Sequence, residues 1–498
     1  MSEILVSFRG ATSRNMRGGM IAAGLPLLAV AVGLTVGMNA KVAVVLLLAI
    51  IASAALIGAS RASLAAALIA GTIAIPSLIL LVSSSGGSSA ASLLAGQGRW
   101  VTVVFAVLIM RSLLRGERIV LPSLVRTALL IYCALYALEL VVAFFRSDFP
   151  PGTGSLIVRQ VTYPLAAIVG ASTIGGGATR DRDGRAGSMA VLRLARVAGL
   201  SAGVAGLAAF WFWAWLHGHV SAGPFEHLFS QASQASVYPG RSIFPLVQDS
   251  PNVGVVVIVA LAAFSVPPLL EGSRHDKLLA ATAVLAAGSA VYATESRTGV
   301  IALGVAALVW LLLNWRDRRR RATVVLLIAL IAGAVQAYTL LPSSRKFQAN
   351  APTLVARQGI WKQAVSDLGR DPAFGLGYHF SAGSNFVESA APGAAAVARG
   401  QSVQSEYLGQ LVDGGLAGFV LFVFILMTWL RAARAQLGGP RRSLGVGLVC
   451  MLAGVGAAMI GSSVLQSAAV STLVWFLFGA VAALGAVGGE EPSVALPR

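Results

Sequence analysis

Arginine side chains at the ends of apolar segments are the groups in this sequence that could bind a highly charged substrate. The segment Glu295-Ser296-Arg297-Thr298-Gly299 separates two apolar runs with almost no loop, so both of its charges are expected at the edge of the apolar layer. A guanidinium is a rigid fork of donors that matches phosphate oxygens, and several around one cavity would suit a diphosphate. The candidate arginines on the predicted outer side include Arg159, Arg241, Arg297, Arg345, Arg357 and Arg399. The alternatives are an ion pair with Glu295 or a snorkelling side chain for Arg297, and solvation in a loop for the others.

Carboxylate side chains just before a late apolar segment could accept a proton from a hydroxyl group. Glu406 and Asp413 precede the apolar run that begins near Leu416, and a positioned carboxylate can act as a general base. The alternatives are N-terminal capping by Asp413 and solvation of Glu406. His379 is a further candidate for acid–base chemistry. The spacing of the histidines matches no standard metal site, so no metal is expected.

The composition requires most of this chain to lie in lipid. Its 498 residues are 57% hydrophobic and 11% charged, whereas soluble domains carry about 25% charged residues. The formal net charge of +18 could indicate a nucleic-acid partner, but the basic clusters fall in every second loop between apolar runs. That alternation is the topological signal of the positive-inside rule. We therefore expect a multi-pass membrane protein with both termini in the cytoplasm and no nucleic-acid partner.

Apolar runs of membrane-spanning length predict an all-α transmembrane bundle of about fourteen helices. The predicted helices are 20–38, 42–59, 63–83, 100–113, 127–145, 161–178, 197–216, 253–270, 278–293, 299–314, 323–341, 414–431, 444–462 and 468–488. Residues 1–19 are the predicted cytoplasmic amino-terminal segment and 489–498 the cytoplasmic tail. The transmembrane helices fall into two groups, 20–341 and 414–488, separated by a large outer loop.

Two predicted outer segments, 218–252 and 342–413, are longer than a connection requires. Long ordered loops in compact proteins are usually functional. The second contains an amphipathic pattern over 353–368, which predicts a short helix on the membrane surface or over a cavity. Its apolar side consists of Val355, Ile360, Trp361 and Val365. From Gln404 onward a helical face recurs, which predicts that the next transmembrane helix extends outward into the loop.

The stretch from Gln404 to Leu416 resembles the signature of the O-antigen ligase and polymerase superfamily. It reads Gln-Ser-Glu-Tyr-Leu-Gly-Gln-Leu-Val-Asp-Gly-Gly-Leu, where the family pattern is roughly His-Asn-x-Tyr-Leu-x-x-Leu-x-Glu-x-Gly-Leu. The further matches are Arg357-x-x-x-Trp361, Asp371-Pro372-x-x-Gly375-x-Gly377, Ser296-Arg297-Thr298-Gly299, and Arg241 followed by Ser250-Pro251-Asn252. The resemblance covers the chain from about Arg241 to Leu430.

This resemblance implies a bacterial inner-membrane glycosyltransferase whose active site faces the periplasm around loop 342–413. Such an enzyme transfers a glycan from a polyprenyl diphosphate carrier to an acceptor hydroxyl, with inversion at the anomeric carbon and without a metal or other cofactor. The implied diphosphate- and glycan-binding residues are Arg159, Arg241, Arg297, Arg357, Trp361 and Tyr407. The implied catalytic candidates are Gln404, Glu406 and His379. The partners are the lipid-linked donor, the glycan acceptor and the bilayer, with a chain-length regulator and a flippase as further candidates.

Gln404 departs from the family pattern because it occupies the position of the histidine, and an amide cannot act as a base at neutral pH. Either Glu406 or His379 activates the acceptor, or positioning and departure of the diphosphate suffice, or the match is catalytically degenerate. Ligases that attach glycan to lipid A resemble the histidine version most closely. The glutamine therefore favours a polymerase of surface or exopolysaccharide repeat units, with the ligase as the alternative.

A transporter or lipid flippase is the alternative from a different functional class. It would need charged residues within several membrane helices and two related halves of the chain. The ionisable residues here cluster instead at the predicted outer edge, with Glu139 as the main exception. That distribution favours chemistry at the membrane surface.

Overall fold

The computed structural model describes the later part of the predicted bundle. The described residues are 121–146, 153–178, 185–223, 226, 229–230, 242, 251–314, 352–378, 380–382, 403–438 and 441–488. The predicted helices 20–38, 42–59, 63–83, 100–113 and 323–341 lie outside these residues, as do segments 1–19 and 489–498. The predicted total of about fourteen helices therefore stays a prediction.

Every regular element in these ranges is helical, as expected for an all-α membrane protein. The helices are α1 (Ser123–Arg146), α2 (Thr153–Ala178), α3 (Arg185–Leu216), α4 (Pro251–Leu270), α5 (Arg274–Thr294), α6 (Arg297–Leu313), α7 (Pro352–Leu368), α8 (Glu406–Leu437), α9 (Arg442–Gly461) and α10 (Ala468–Gly488). Single 3-10 turns, Phe380–Ala382 and Val464–Gln466, precede α8 and α10.

Six helices of the described part are long and apolar enough to cross a membrane, namely α1, α3, α4, α5, α8 and α9. The protein is therefore a multi-pass membrane protein. Several helices begin earlier than their apolar run, because polar first turns carry the backbone out of the apolar layer. α5, for example, begins at Arg274, four residues before the predicted 278, after a capping box between Ser273 and Asp276.

The interior of the bundle is closely packed. α4 lies at its centre, where residues 255–261 are all buried. α10 lies along α2, and a Cβ atom on Gly170 or Gly479 would overlap the backbone carbonyl of the facing helix. Small residues at such positions let helix backbones approach closely, which is how helices associate in lipid.

The segments of the sequence signature lie at one end of the bundle. Arg442 at the start of α9 donates to Asn314 Oδ1 (3.1 Å) and to the Leu313 carbonyl (2.5 Å) at the end of α6. α6 and α9 are thus antiparallel, and the start of α6 lies at the same end as Gly461, where α9 stops. We call this the signature end. The opposite end carries the ion pair between Arg196 Nε and Asp276 Oδ1 at 2.5 Å.

Candidate functional site

Helix α8 is broken inside the signature, at Gly415. This residue has φ 60° and ψ −160°, a backbone conformation that essentially only glycine adopts. A break leaves carbonyls before it and amides after it without helical partners. In a membrane each such unsatisfied group would cost several kcal/mol. The break therefore needs an external set of backbone partners.

Those partners come from the crossing segment, residues 371–377, which lies across the break. Four backbone hydrogen bonds join them: Leu376 N to Val412 O (2.8 Å), Gly377 N to Asp413 O (2.9 Å), Leu416 N to Pro372 O (2.9 Å) and Ala417 N to Ala373 O (3.0 Å). A Cβ atom on Gly415 would lie 2.5 Å from Gly375 N, so the crossing requires glycine there. The Asp-Pro-x-x-Gly-x-Gly motif and the Gly-Gly of the signature are two halves of one backbone crossing.

Side chains fix the crossing segment on both sides. The Asp413 carboxylate accepts the Ser381 N–H (2.7 Å) and hydroxyl (2.9 Å) just beyond the segment. Asp371 pairs with Arg146 of α1 at 2.8 Å. The Phe374 N–H, and after it the Arg146 guanidinium, hold the pKa of the Asp371 carboxyl below its usual value. The capping role considered for Asp413 is wrong, because Ser405 caps α8 and Asp413 anchors Ser381 instead.

Gln404, at the position of the family's histidine, binds a candidate arginine. Arg357 Nε donates to Gln404 Oε1 at 2.8 Å, which joins α7 to the residue just before the Ser405 cap. Gln404 has φ 53°, one of two positive values among non-glycine residues of the described part. Such a conformation persists only where the surroundings enforce it. The amide therefore holds the guanidinium in a defined orientation.

The neighbouring candidates tie this segment to α7 and α9. Trp361 Nε1 donates to the Val403 carbonyl at 3.1 Å, and the Tyr407 hydroxyl donates to the Gly456 carbonyl at 3.0 Å. Ile360 of α7 is buried against α8, as predicted, whereas Val365 is 59% exposed and does not belong to the apolar side. α7 thus packs against the first half of α8, and its position on the membrane surface or over a cavity stays a prediction.

Arg297 begins α6 at the signature end and is half-buried. The preceding Ser296 caps α6 by accepting the Gly299 N–H, and its hydroxyl donates to Asn252 Oδ1 at 2.8 Å. Two short motifs that lie 44 residues apart, around Asn252 and Ser296, are therefore joined directly. This contact sets the position from which the Arg297 side chain projects.

Glu406 is buried rather than solvated, with 4% of its surface exposed. Its Oε2 accepts the Leu465 N–H at 3.0 Å. The side chain lines a cavity of about 40 Å³ between α1, α2, α8 and α10, together with Glu139 and Asp413. Space of that size holds about three water molecules and no sugar. An acceptor hydroxyl at Glu406 therefore requires more space than this cavity offers.

The other predicted site residues lie outside this description. Arg241 and His379 are not among the described residues, and for Arg159 only the helical backbone of α2 is described. Conversely, Glu139 lines the cavity although it is not among the predicted site residues. The sequence could have indicated Glu139, because an ionisable residue inside a membrane helix is usually functional. Tyr132 and Tyr136 also share its helical face.

Comparison with protein-family models identifies residues 281–423 as matching a family described as O-antigen ligase. The match runs from α5 to the middle of α8 and contains Arg297, Arg357 and the whole signature. It confirms the resemblance drawn from the motifs. A comparison with curated proteins finds no match for the chain.

Proposed function

Because residues 281–423 match the O-antigen ligase family, we propose that the chain polymerises polyprenyl-diphosphate-linked oligosaccharide repeat units into a surface or exopolysaccharide. The family makes it a glycan-transferring membrane enzyme of the ligase or polymerase type. The donor is the growing chain on its carrier, and the acceptor is a hydroxyl group of a single carrier-linked repeat unit. The acceptor oxygen attacks the anomeric carbon with inversion, and the diphosphate leaves.

The observation that carries this proposal is the Arg357–Gln404 contact beside the signature helix. A departing diphosphate gains negative charge, and a preorganised donor aimed at it stabilises the transition state. Gln404 accepts a hydrogen bond from Arg357 Nε, and this bond fixes the plane of the guanidinium group. Arg297 starts α6 at the same end of the bundle and is the second diphosphate ligand of the proposal, with Arg159 and Arg241 as further candidates. Trp361 and Tyr407 would line the glycan side.

The proton of the acceptor hydroxyl goes to a base or is lost after the diphosphate departs. Gln404 cannot take it, and its bond to Arg357 gives it a positioning role instead. Glu406 remains the proposed base, provided that the cavity widens to admit the acceptor hydroxyl, and His379 is the alternative. The reaction would take place on the periplasmic side of the membrane, because enzymes of this kind extend polyprenyl-linked repeat units there.

The test is replacement of Arg357 in cells whose own copy has been deleted. Arg357→Ala should lower polymer formation at least about 100-fold, as loss of a transition-state donor does. Arg357→Lys keeps the charge but not the fork, and should restore only part of the activity. Lys362→Ala is the matched control, since Lys362 is exposed on the same helix. Normal polymer from well-expressed Arg357→Ala would refute the diphosphate role.

Analysis of carrier-linked lipid in the deletion strain separates the alternatives. A polymerase leaves single repeat units on the carrier in the outer leaflet. A ligase, the closest alternative, leaves long carrier-linked chains that are not attached to a lipid A core. Accumulation confined to the cytoplasmic leaflet would instead identify a flippase.

A further inference from the structure

Three acidic side chains meet in the cavity between α1, α2, α8 and α10. Three carboxyl groups line it, those of Glu139, Glu406 and Asp413. They are 2%, 4% and 6% exposed, respectively. No arginine, lysine or histidine is among the described residues that line it. Buried carboxyl groups that lie side by side lose their hydration and repel one another when ionised, which favours a proton on one of them.

The three carboxyl groups differ in the donors that reach them. Asp413 accepts two hydrogen bonds from Ser381, and Glu406 accepts one from Leu465 N. Glu139 Oε1, by contrast, is buried and has no hydrogen-bond partner among the described residues. Donors stabilise the charged form of a carboxyl group. Glu139 is therefore the member of the cluster that is best suited to hold a proton.

Two uncharged side chains in the same wall indicate a ligand independently of the acids. Gln410 Oε1 and Trp429 Nε1 line the cavity, are buried, and have no partner within the described part of the chain. Gln410 is 9% exposed and Trp429 2%. A buried polar atom left unpaired destabilises the folded protein. One of these atoms is an acceptor and the other a donor, so a bare cation cannot satisfy both, whereas water can.

We propose that this cavity is a binding site for water and a proton. About three water molecules fit its 40 Å³ and bridge Glu139, Gln410 and Trp429, while Glu139 holds a proton. The inference goes beyond the proposed function, since it concerns the interior of the bundle whichever glycan is transferred. It links the protonation of α1 to the signature helix, because Glu406 and Asp413 belong to α8.

The titratable groups that face Glu139 come from each element around the cavity. They are Tyr132 and Tyr136 on α1, Tyr163 on α2, Tyr378 after the crossing segment, and Glu406 and Asp413 on α8. α10 and the turn before it contribute Trp475, Ser471, Leu465 and Gln466, none of which carries a charge. Removal of the proton at alkaline pH would leave like charges facing one another across the α1–α8 contact, so the folded protein should lose stability there.

Infrared spectroscopy of the purified full-length protein in nanodiscs tests the proton directly. At pH 7.5 the wild type should show a protonated-carboxyl band that shifts in D₂O. Glu139→Gln should remove it, and Asp371→Asn, which changes a carboxylate outside the cavity, should leave it. Absence of the band in the wild type, or its persistence in Glu139→Gln, would overturn the proposal. Loss of the wild-type band at alkaline pH, together with a lower melting temperature, supports it even if Glu139→Gln fails to fold.

Gln410→Met tests the water. In a dry cavity this near-isosteric change removes an unpaired polar atom and should raise the melting temperature. In a hydrated cavity the substitution removes a hydrogen bond to bound water and should lower the melting temperature, as we expect. A melting temperature that rises with Na⁺ or K⁺, in a protein without the infrared band, would assign the site to a cation instead. None of these measurements depends on glycan transfer, so failure of the proposed function would not affect them.

Discussion

Gln404 occupies the position of the histidine in the family pattern, but its amide side chain has a different chemistry. A histidine at this position could exchange a proton, whereas the amide Oε1 accepts the Arg357 Nε–H at 2.8 Å. The contact also accounts for the positive φ of 53° at Gln404, which the cap at Ser405 and the bond to Arg357 hold in place. In the proposed function, the residue acts on the reaction through the arginine that it orients.

Substitution of Gln404 should therefore affect the reaction through Arg357. Gln404→Ala releases the guanidinium, and a displacement of about 1 Å at a reacting group can lower the rate about 100-fold. Gln404→Glu should instead pair with Arg357 and compete with the diphosphate, which raises KM for the lipid-linked donor. Both effects can be read from initial rates with purified carrier-linked repeat units. An unchanged kcat in Gln404→Ala would contradict the positioning role, provided that the variant is folded.

The hydrogen bonds of Asp371 predict how the stability of the folded protein changes at acidic pH. The Phe374 N–H and then Arg146 hold its pKa below the usual value, so the folded state favours the charged form. That contribution is complete above the ordinary pKa near 4 and is lost as the pH falls through the lower folded value. Asp371→Asn should cost less than about 1 kcal/mol at pH 7, since both partners are partly exposed. The difference from the wild type should shrink below pH 4 in thermal unfolding experiments.

At the scale of secondary-structure elements, the break in helix α8 is the feature that sequence periodicity could not predict. The pattern from Gln404 correctly predicted that α8 extends into the loop, because side chains repeat at helical spacing on both sides of Gly415. A helical repeat does not report a single residue at φ 60°. The four backbone bonds from the crossing segment join residues about 40 positions apart, and no local pattern encodes such a pairing. The glycines of the two motifs were visible, but their mutual contact was not.

Gly415→Ala tests the crossing. The added Cβ would lie 2.5 Å from both Gly375 N and the Ala373 carbonyl carbon, and the backbone conformation is strained for any other residue. We expect a loss of about 3 kcal/mol or more, combining that strain with broken backbone bonds. Gly438→Ala at the other end of α8 is the control, because nothing lies within 4 Å of its Cβ position. Equal melting temperatures for the two variants in detergent would contradict the structural role of the break.

At the scale of the whole molecule, composition determines the class and contacts determine the site. Apolar runs and basic loops predicted the helices of the described part, because a membrane allows few other structures for them. The clustering of Asn252, Ser296, Arg357 and Gln404 at one end could be expected from alternating helices. The cavity could not be predicted, because Glu139 is far in sequence from Glu406 and Asp413. Only the packing of α1 on α8 brings the three side chains together.

The two ends of the bundle should face opposite sides of the membrane. Lys362 on α7 is exposed at the signature end, and Lys277 is exposed at the opposite end, one residue after the Asp276 that pairs with Arg196. In a chain with Cys133→Ser and Cys450→Ala, Lys362→Cys should react with a membrane-impermeant maleimide in cells whose outer membrane has been permeabilised. Lys277→Cys should react only after the inner membrane is disrupted. The positive-inside rule predicts this orientation, and the diphosphate donor needs it if repeat units are joined in the periplasm. The reverse labelling pattern would place the signature end in the cytoplasm and would refute the proposed site of polymerisation.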